Sequence, residues 1–254
     1  MIDIRCSDNI DMLRGMQDNS VDLVVTSPPY DNLRHYGGHA WNFEALASQL
    51  VRALKEGGVI VWVVGDSTIN GSETLTSFRQ AIHFKDVCGL NVHDTMLYLK
   101  AQMAFPESNR YYPAFEYMFV MSKGRPKTVN LIKDRENVSS GSKIHARQRQ
   151  KDGSLLNASN YGEAIAKYGV RWNYWLMHNQ TRGEHTTTHP ATFPYELAYD
   201  HILSWSNEGD LVLDPFLGSG TTALAAKSLN RRFVGCDINQ TYVDLAIKRA
   251  SAIT

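Results

Sequence analysis

The chain has 254 residues, of which 43% are hydrophobic and 20% are charged, so it can bury the core of one large α/β domain. Its formal net charge is zero, which excludes a protein that is basic overall and attracts nucleic acid over its whole surface. No apolar run has the length of a transmembrane helix, the first residues do not form a signal peptide and the distant cysteines lack metal-binding spacing, so we expect a cytoplasmic protein without a metal.

The first part of the chain alternates between strand and helix patterns. Apolar and polar residues alternate over Ile2–Cys6, whereas Val21–Val25 and Val59–Val64 are continuous apolar runs, typical of strands covered on both faces. A short amphipathic helix is predicted after the first strand, and a helix over Phe43–Lys55, ended by Gly57-Gly58, after the second. This order predicts an α/β fold with a parallel, doubly wound sheet.

A stiff turn follows the second strand. Thr26-Ser27-Pro28-Pro29-Tyr30 begins where the apolar run ends, and its two prolines prevent both helix formation and further strand pairing. In open α/β sheets, ligands bind at the carboxyl ends of the strands, which is where this turn lies. It can present a hydroxyl, carbonyl oxygens and a flat ring to a planar ligand. An ordinary proline turn with a surface tyrosine fits the same residues.

The middle of the chain contains two predicted strands and a basic segment. Asn91–Leu99 and Phe115–Met121 are rich in aromatic and β-branched residues, and one late strand pair is a candidate for antiparallel pairing. From residue 123 to 151, nine Lys/Arg stand against two acids, which segregates positive charge as phosphate contacts require. A solvated loop has the same pattern. Tyr161–Trp175 adds rings beside arginines, which can stack on bases or form an edge of the core.

The last part of the chain returns to alternating helices and strands. Pro194 suits the first turn of a helix that ends near Trp205. The elements predicted after it are a strand over Leu211–Leu213, a helix over Thr221–Leu229, a strand over Arg232–Cys236 and a helix over Tyr242–Ala252.

A second motif joins the strand at Leu211–Leu213 to the helix at Thr221–Leu229. It reads Asp214-Pro215-Phe216-Leu217-Gly218-Ser219-Gly220-Thr221-Thr222. Its glycines allow a sharp turn and a close approach to a ligand, and the helix N-terminus suits a carboxylate or phosphate. Asp237 ends the next strand, where an acid can bind ribose hydroxyls. Tight packing of helix and strand is the alternative explanation of the glycines. The third glycine of the dinucleotide fingerprint is missing, so NAD is not expected.

Taken together and in this order, Ser27-Pro28-Pro29-Tyr30 and the motif beginning at Asp214 resemble the β class of DNA methyltransferases, which methylate N4 of cytosine or N6 of adenine. The resemblance extends over nearly the whole chain. It implies S-adenosylmethionine as cofactor, double-stranded DNA as substrate and a Rossmann-like sheet of seven strands in permuted order, beginning at the third strand and ending after the second. It also implies a single methyltransferase domain, 1–254, with a target-recognition insertion at 123–175.

The resemblance assigns roles to particular residues. Asp214, Phe216, Gly218 and Gly220 would wrap the methionine half of the cofactor, Asp237 would bind its ribose and Asp8 would lie near its adenine. The catalytic set is Ser27, Pro28, Pro29 and Tyr30; the remaining cofactor-binding residues are Ser219, Thr221 and Thr222; and the DNA-binding set is Lys143, Arg147 and Arg149. Thr221 and Thr222 either position the cofactor or cap the helix.

Ser27 favours N4 of cytosine as the methylated atom, because serine at this position in the family leans towards cytosine and aspartate towards adenine. N6-adenine methylation is the alternative. A methyltransferase for RNA, a protein amide or a small molecule and a non-catalytic DNA-binding module are further alternatives. The C5-cytosine mechanism is excluded, because none of Cys6, Cys88 and Cys236 follows a proline. A cognate restriction endonuclease is a possible partner, and a monomer or homodimer is expected.

Overall fold

The structure, a computed structural model, describes residues 1–29, 41–101, 109–178 and 194–252. Tyr30 of the predicted catalytic set lies outside these residues. Pro194 is described and directly precedes the helix expected there, which ends at Trp205 as predicted. The chain forms two compact units, one comprising Met1–Asn130 with Asn173–Thr254 and the other Leu131–Trp172. Within the described ranges, no helix is both long and apolar enough to span a bilayer.

The secondary structure follows the predicted alternation. The helices are α1 (Asn9–Arg14), α2 (Phe43–Ala53), α3 (Thr76–Asp86), α4 (Tyr195–Trp205), α5 (Thr221–Ser228) and α6 (Gln240–Ser251). The strands are β1 (Ile2–Cys6), β2 (Val21–Thr26), β3 (Leu54–Val64), β4 (Thr68–Ile69), β5 (Ser72–Glu73), β6 (Asn91–Lys100), β7 (Phe115–Ser122), β8 (Arg135–Glu136), β9 (Arg147–Arg149), β10 (Leu155–Asn157), β11 (Tyr168–Gly169), β12 (Tyr174–Met177), β13 (Leu211–Asp214) and β14 (Arg232–Asp237).

The first unit contains a central sheet with the strand order β1-β14-β13-β2-β3-β7-β6-β12. The pairs are parallel except that β7 runs antiparallel to both β3 and β6. The first strand of the chain therefore lies at one edge beside the last two, β14 and β13. This arrangement confirms the expected α/β fold, its permuted order and the antiparallel pair.

The sheet has eight strands, not the expected seven, because β12 adds an edge strand parallel to β6. Trp175 and Met177 point inward and are 7% and 8% exposed, whereas Tyr174 and Leu176 point to solvent. The Trp175 ring packs on His201 with 4.4 Å between the ring centroids. This alternation within four residues buries one face of an edge strand, so Trp175 belongs to an edge of the core.

The boundary between α2 and β3 differs from the prediction. The helix ends at Ala53 rather than Lys55, and Gly57-Gly58 lies inside the strand instead of stopping the helix. Leu54 is fully buried and pairs with Val21 of β2, so tertiary pairing begins as soon as the helix ends.

The core lies on both faces of the sheet. Alternate residues of β3 point to opposite sides: Val61 faces a cluster that includes residues of α4 and α5, and Trp62 faces one that includes residues of α1, α2 and α3. Because each fully buried aliphatic side chain contributes about 1.5–3 kcal/mol, the apolar runs of β2 and β3 stabilise the sheet from both sides. The doubly wound arrangement is therefore confirmed.

The second unit, Leu131–Trp172, is built from short antiparallel strand pairs. β9 pairs with β10 and β8 pairs with β11, both antiparallel. Lys143 and Ala164 form an isolated antiparallel β-bridge. All of its residues are described, and none is buried. It carries eight Lys/Arg against four Asp/Glu. The unit lies within the predicted insertion 123–175, and target recognition stays a prediction for it.

Candidate active site

The two sequence motifs meet at one edge of the sheet. Strands β1, β14, β13 and β2 are neighbours, and all four end at this edge. Their last residues are Cys6, Asp237, Asp214 and Thr26. The proline turn that follows Thr26 therefore begins beside the glycine-rich loop that follows Asp214, as expected for the carboxyl ends of parallel strands.

Asp214 joins the two motifs directly. Its carboxylate accepts a hydrogen bond from the Thr26 hydroxyl at 2.6 Å, although the two residues are 188 positions apart. It also accepts bonds from the Phe216 N–H at 3.0 Å and the Thr222 hydroxyl at 2.7 Å. Burial raises the pKa of Asp214 to about 6, while these donors act in the opposite direction. Thr222 thus connects α5 to the end of β13. The sequence had suggested cofactor positioning or helix capping for this residue, and this contact is neither.

The glycine-rich loop after β13 is held from both sides. Gly218 has a φ of +50° and donates its N–H to the Asp237 carboxylate at 3.0 Å. Gly220 has a φ of +85°, and a Cβ added there would lie 2.7 Å from Cβ of Ala246 in α6. Tight packing against a helix therefore accounts for Gly220, and hydrogen bonding across the loop accounts for the position of Gly218.

The remaining loop residues are fixed by α6. The Arg249 guanidinium donates to the carbonyl of Ser219 at 2.6 Å and to its hydroxyl at 3.0 Å. Ser219, Thr221 and Thr222 are all buried. These contacts keep the N-terminal end of α5, with its free N–H groups, in a fixed place at the sheet edge.

Three predicted cofactor-binding side chains are accessible at this edge, namely Asp8, Phe216 and Asp237. Asp8 caps α1, because its carboxylate accepts hydrogen bonds from the N–H groups of Ile10 and Asp11 at 2.8 and 3.1 Å. Asp237 accepts the Asn239 N–H at 2.8 Å in addition to that of Gly218. Each carboxylate oxygen has two acceptor positions, so both side chains retain capacity for ligand hydroxyl or amino groups.

Phe216 stands on an aromatic support that the sequence analysis missed. Its ring meets Trp41 edge to face with 5.2 Å between centroids, and Trp41 in turn contacts Phe43 and Trp62. No local pattern links Trp41 to Phe216, so only the folded chain identifies it. The support gives Phe216 a defined orientation at the ligand-accessible edge.

Comparison with known proteins identifies the family. The N6/N4 methyltransferase family, described as DNA methylase, matches residues 21–248. An orphan methyltransferase, M.BamHII of Bacillus amyloliquefaciens, is 50% identical over 244 residues, covering 94% of this chain and 91% of the relative. The chain belongs to the N6/N4 DNA methylase family.

Solved structures agree with this DNA methylase fold. The PvuII DNA methyltransferase (cytosine-N4-specific) matches 98% of this chain and 86% of its own with a TM-score of 0.71 and 20% identity. A complex of M1.HpyAVI with SAM matches 98% of both chains with a TM-score of 0.66 and 23% identity. Family membership confirms the expected enzyme class, a DNA methyltransferase, and with it S-adenosylmethionine as the cofactor of the family.

The structure places the predicted catalytic turn of this DNA methylase as follows. Pro28 is buried, and Ser27 and Pro29 are partly exposed, next to the buried Thr26. Tyr30 lies outside the described residues. The catalytic roles of these residues stay predictions, and their position beside the glycine-rich loop is the geometry that those roles require.

The predicted DNA-binding residues of the methylase lie in the second unit. Lys143, Arg147 and Arg149 are exposed, and the two arginines share one face of β9 because they are two residues apart in a strand. Other arginines of the unit are engaged within it, with Arg135 stacked on a tryptophan ring and Arg171 bonded to an aspartate at 2.9 Å. The three predicted residues are therefore well placed for phosphate contacts, and this role stays a prediction.

Proposed function

We propose that the protein transfers a methyl group from S-adenosylmethionine to N4 of cytosine at specific sites in duplex DNA. One observation carries the proposal: the Ser27-Pro28-Pro29 turn and the glycine-rich loop lie side by side at the sheet edge, joined by the hydrogen bond from Thr26 to Asp214. Methyl transfer needs an acceptor site and a donor site at a short, fixed separation. Two adjacent strand ends provide them.

The turn supplies acceptors for the protons of the base's amino group. The nitrogen lone pair is delocalised into the ring, so the nitrogen is a poor nucleophile until it becomes pyramidal. Hydrogen bonds from its N–H groups to the Ser27 hydroxyl and the Pro28 carbonyl favour that geometry, and Tyr30 is assigned to stack on the base. The base must leave the duplex to reach the turn, as in other enzymes that modify bases.

The cofactor site is formed by the accessible residues Phe216, Asp237 and Asp8, supported by the buried glycine-rich loop. This set fits the cofactor, because it offers the Phe216 ring to its methionine half, carboxylate acceptors for hydroxyl or amino groups, and N–H groups at the α5 terminus for its carboxylate. When bound, S-adenosylmethionine supplies an activated methyl group on a sulfonium. The protein's contribution is therefore to bind and orient.

No covalent intermediate with the protein is part of this proposal. Cys236 is buried, and burial raises the pKa of its thiol well above the ordinary value. Burial likewise raises the pKa of Cys88. Neither thiol therefore has the thiolate character of a cysteine nucleophile, in agreement with direct transfer to an amino nitrogen.

The choice of cytosine over adenine rests on Ser27. Serine at this position of the family leans towards cytosine and aspartate towards adenine. Both a hydroxyl and a carboxylate can accept a hydrogen bond from the amino group, so the preference comes from the family pattern and not from the hydrogen bond itself. N6-adenine is the alternative within the family. Site specificity is assigned to the second unit, with Lys143, Arg147 and Arg149 as phosphate contacts. A restriction endonuclease partner, a monomeric or homodimeric state and a cytoplasmic location stay predictions.

The test is to incubate the purified protein with S-adenosylmethionine and long unmethylated duplex DNA of mixed sequence, digest the DNA and identify the methylated nucleoside by mass spectrometry. We expect N4-methylcytosine, and a strongly reduced yield with Ser27→Ala at matched protein concentration. If N6-methyladenine were found instead, the methylated base would be adenine and not cytosine. The absence of any methylated nucleoside would overturn the proposed function, with single-stranded DNA and RNA as comparison substrates.

A further inference from the structure

Thr26 is the last residue of β2 and is fully buried. Strands β2 and β13 are paired beside it, with Leu23 opposite Val212 and Val24 opposite Leu213. The pairing brings Thr26 level with the end of β13, where its hydroxyl donates to the Asp214 carboxylate at 2.6 Å. A buried threonine at a strand end could pack by its methyl group alone, so the hydroxyl contact requires an explanation of its own.

The Asp214 carboxylate accepts one hydrogen bond from each of three segments of the site. Thr26 belongs to the strand that leads into the proline turn, Phe216 to the glycine-rich loop and Thr222 to the first turn of α5. Asp214 as a whole residue is 1% exposed. A buried charge is costly unless it is hydrogen-bonded, so Asp214 is stable only where all three donors converge.

This burial also limits how Asp214 can act on the cofactor. A side chain with almost no accessible surface offers little to an external ligand. Its influence passes instead through the groups it holds, above all the Phe216 N–H and the Thr26 hydroxyl.

Resting on the proposed function, we propose that Thr26 is a positioning residue for methyl transfer: its hydroxyl, through Asp214, fixes the Ser27-Pro28-Pro29 turn relative to the cofactor loop. Ser27 follows Thr26 directly, so their Cα atoms are about 3.8 Å apart and a shift of one moves the other. A misplacement of about 1 Å between reacting groups can cost about a hundredfold in rate. The bond therefore sets the separation of donor and acceptor.

Thr222 provides the matched control. It donates to the other oxygen of the same carboxylate, but it belongs to α5 and not to the strand that leads into the proline turn. Loss of its hydroxyl removes one donor from Asp214 and leaves the bond between Thr26 and Asp214 in place. If the cluster has a purely structural role, loss of either threonine hydroxyl should lower the transfer rate to a similar extent. If Thr26 positions the proline turn, loss of its hydroxyl should lower the rate more.

The experiment compares wild type with Thr26→Val, Thr26→Ser and Thr222→Val. Valine keeps the shape and the strand preference of threonine without the hydroxyl, and serine restores the hydroxyl without the methyl group. Calorimetry gives the affinity for S-adenosylmethionine. Single-turnover kinetics with saturating cofactor and long unmethylated duplex DNA gives the rate constant of transfer. Urea unfolding identifies any variant that is not folded.

We expect Thr26→Val to lower the single-turnover rate constant at least tenfold while cofactor affinity stays within about threefold, and Thr26→Ser to recover most of the rate. Thr222→Val should mainly weaken cofactor binding, and it should lower the saturated rate constant clearly less than Thr26→Val does. A wild-type rate in Thr26→Val, or equal losses in the two valine variants, would overturn the positioning role. If Thr26→Val does not fold, a low rate in folded Thr26→Ser overturns it, since that variant keeps the hydroxyl. A wild-type protein that methylates no DNA would instead overturn the proposed function.

Discussion

At the scale of single residues, Asp214 is the group whose chemistry depends most on its surroundings. Removing its carboxylate from water raises its pKa to about 6, and the charge of Asp237 acts in the same direction. Burial raises the pKa of the Cys236 thiol, and the negative charges of Asp214 and Asp237 act in the same direction. Because the folded-state pKa lies above the ordinary value, the contribution of Asp214 to stability falls as the pH rises from about 4 to about 6. The ionised carboxylate, however, is the form that accepts all three donors.

This geometry predicts a pH dependence for catalysis. Protonation of Asp214 puts a proton on one oxygen, where it competes with the Thr26 or Thr222 hydroxyl, so the saturated single-turnover rate constant should fall about tenfold between its plateau and pH 5. Asp214→Asn has no titrating group here, so its rate should be lower at neutral pH and should not fall further towards pH 5. Rate measurements from pH 5 to 8 test this. If Asp214→Asn showed the same drop, another group would be responsible.

At the scale of secondary-structure elements, the contact between α5 and α6 determines the shape of the cofactor loop. Gly220 adopts a positive φ at the start of α5, directly against Ala246 of α6. Arg249, one turn further along α6, donates to Ser219. The loop is therefore shaped by the helix behind it as well as by the strand before it.

Gly220→Ala should destabilise the protein through two effects. The left-handed backbone costs an L-residue about 1–2 kcal/mol, and overpacking against Ala246 adds about 1–3 kcal/mol. Gly209→Ala is the control, since Gly209 has a φ of +81° and an added Cβ there would meet no heavy atom within 4 Å beyond its own chain neighbours. Urea unfolding should show the larger loss for Gly220→Ala, and calorimetry should show weaker cofactor binding for that variant alone. Equal losses of stability and of cofactor affinity in the two variants would show that the contact with α6 does not shape the cofactor loop.

At the scale of the whole molecule, charge is unevenly distributed over a chain that is neutral overall. The second unit, Leu131–Trp172, has four more basic than acidic residues, so the first unit has an equal acidic excess. Since none of its residues is buried, the second unit gains its order from the backbone hydrogen bonds of its short antiparallel strand pairs. An exposed, basic unit of this kind suits contact with a phosphate backbone.

Replacing Arg147 and Arg149 by glutamine should weaken DNA binding and reduce the salt dependence of the affinity. Each lost phosphate contact lowers the slope of log affinity against log salt by about 0.9, so the pair should lower it by about 1.8. The control is Arg79→Gln with Lys85→Gln, two exposed charges on α3 in the first unit. Binding titrations at several salt concentrations distinguish the pairs. Equal weakening by both pairs would mean a general charge effect, and no change by either would make the basic segment a solvated loop.

Much of the fold could be predicted from the sequence because its signals are local. The continuous apolar runs in β2 and β3 identified buried strands, and the proline and glycine motifs marked the turns at the carboxyl ends of two strands. The strand and helix order then implied a doubly wound sheet. The family resemblance rests on the same two motifs, each of which is a continuous stretch of the chain.

The tertiary structure decided the features that depend on residues distant in the chain. The contact between Thr26 and Asp214 spans 188 positions, and neither periodicity nor spacing encodes it. The same holds for Ala246 behind Gly220, for Trp41 beside Phe216 and for β12 at the sheet edge. The sequence by itself determined which residues end the strands at the active edge. Which of them are buried supports and which are accessible to a ligand was decided by packing, because burial depends on neighbours that only the folded chain assembles.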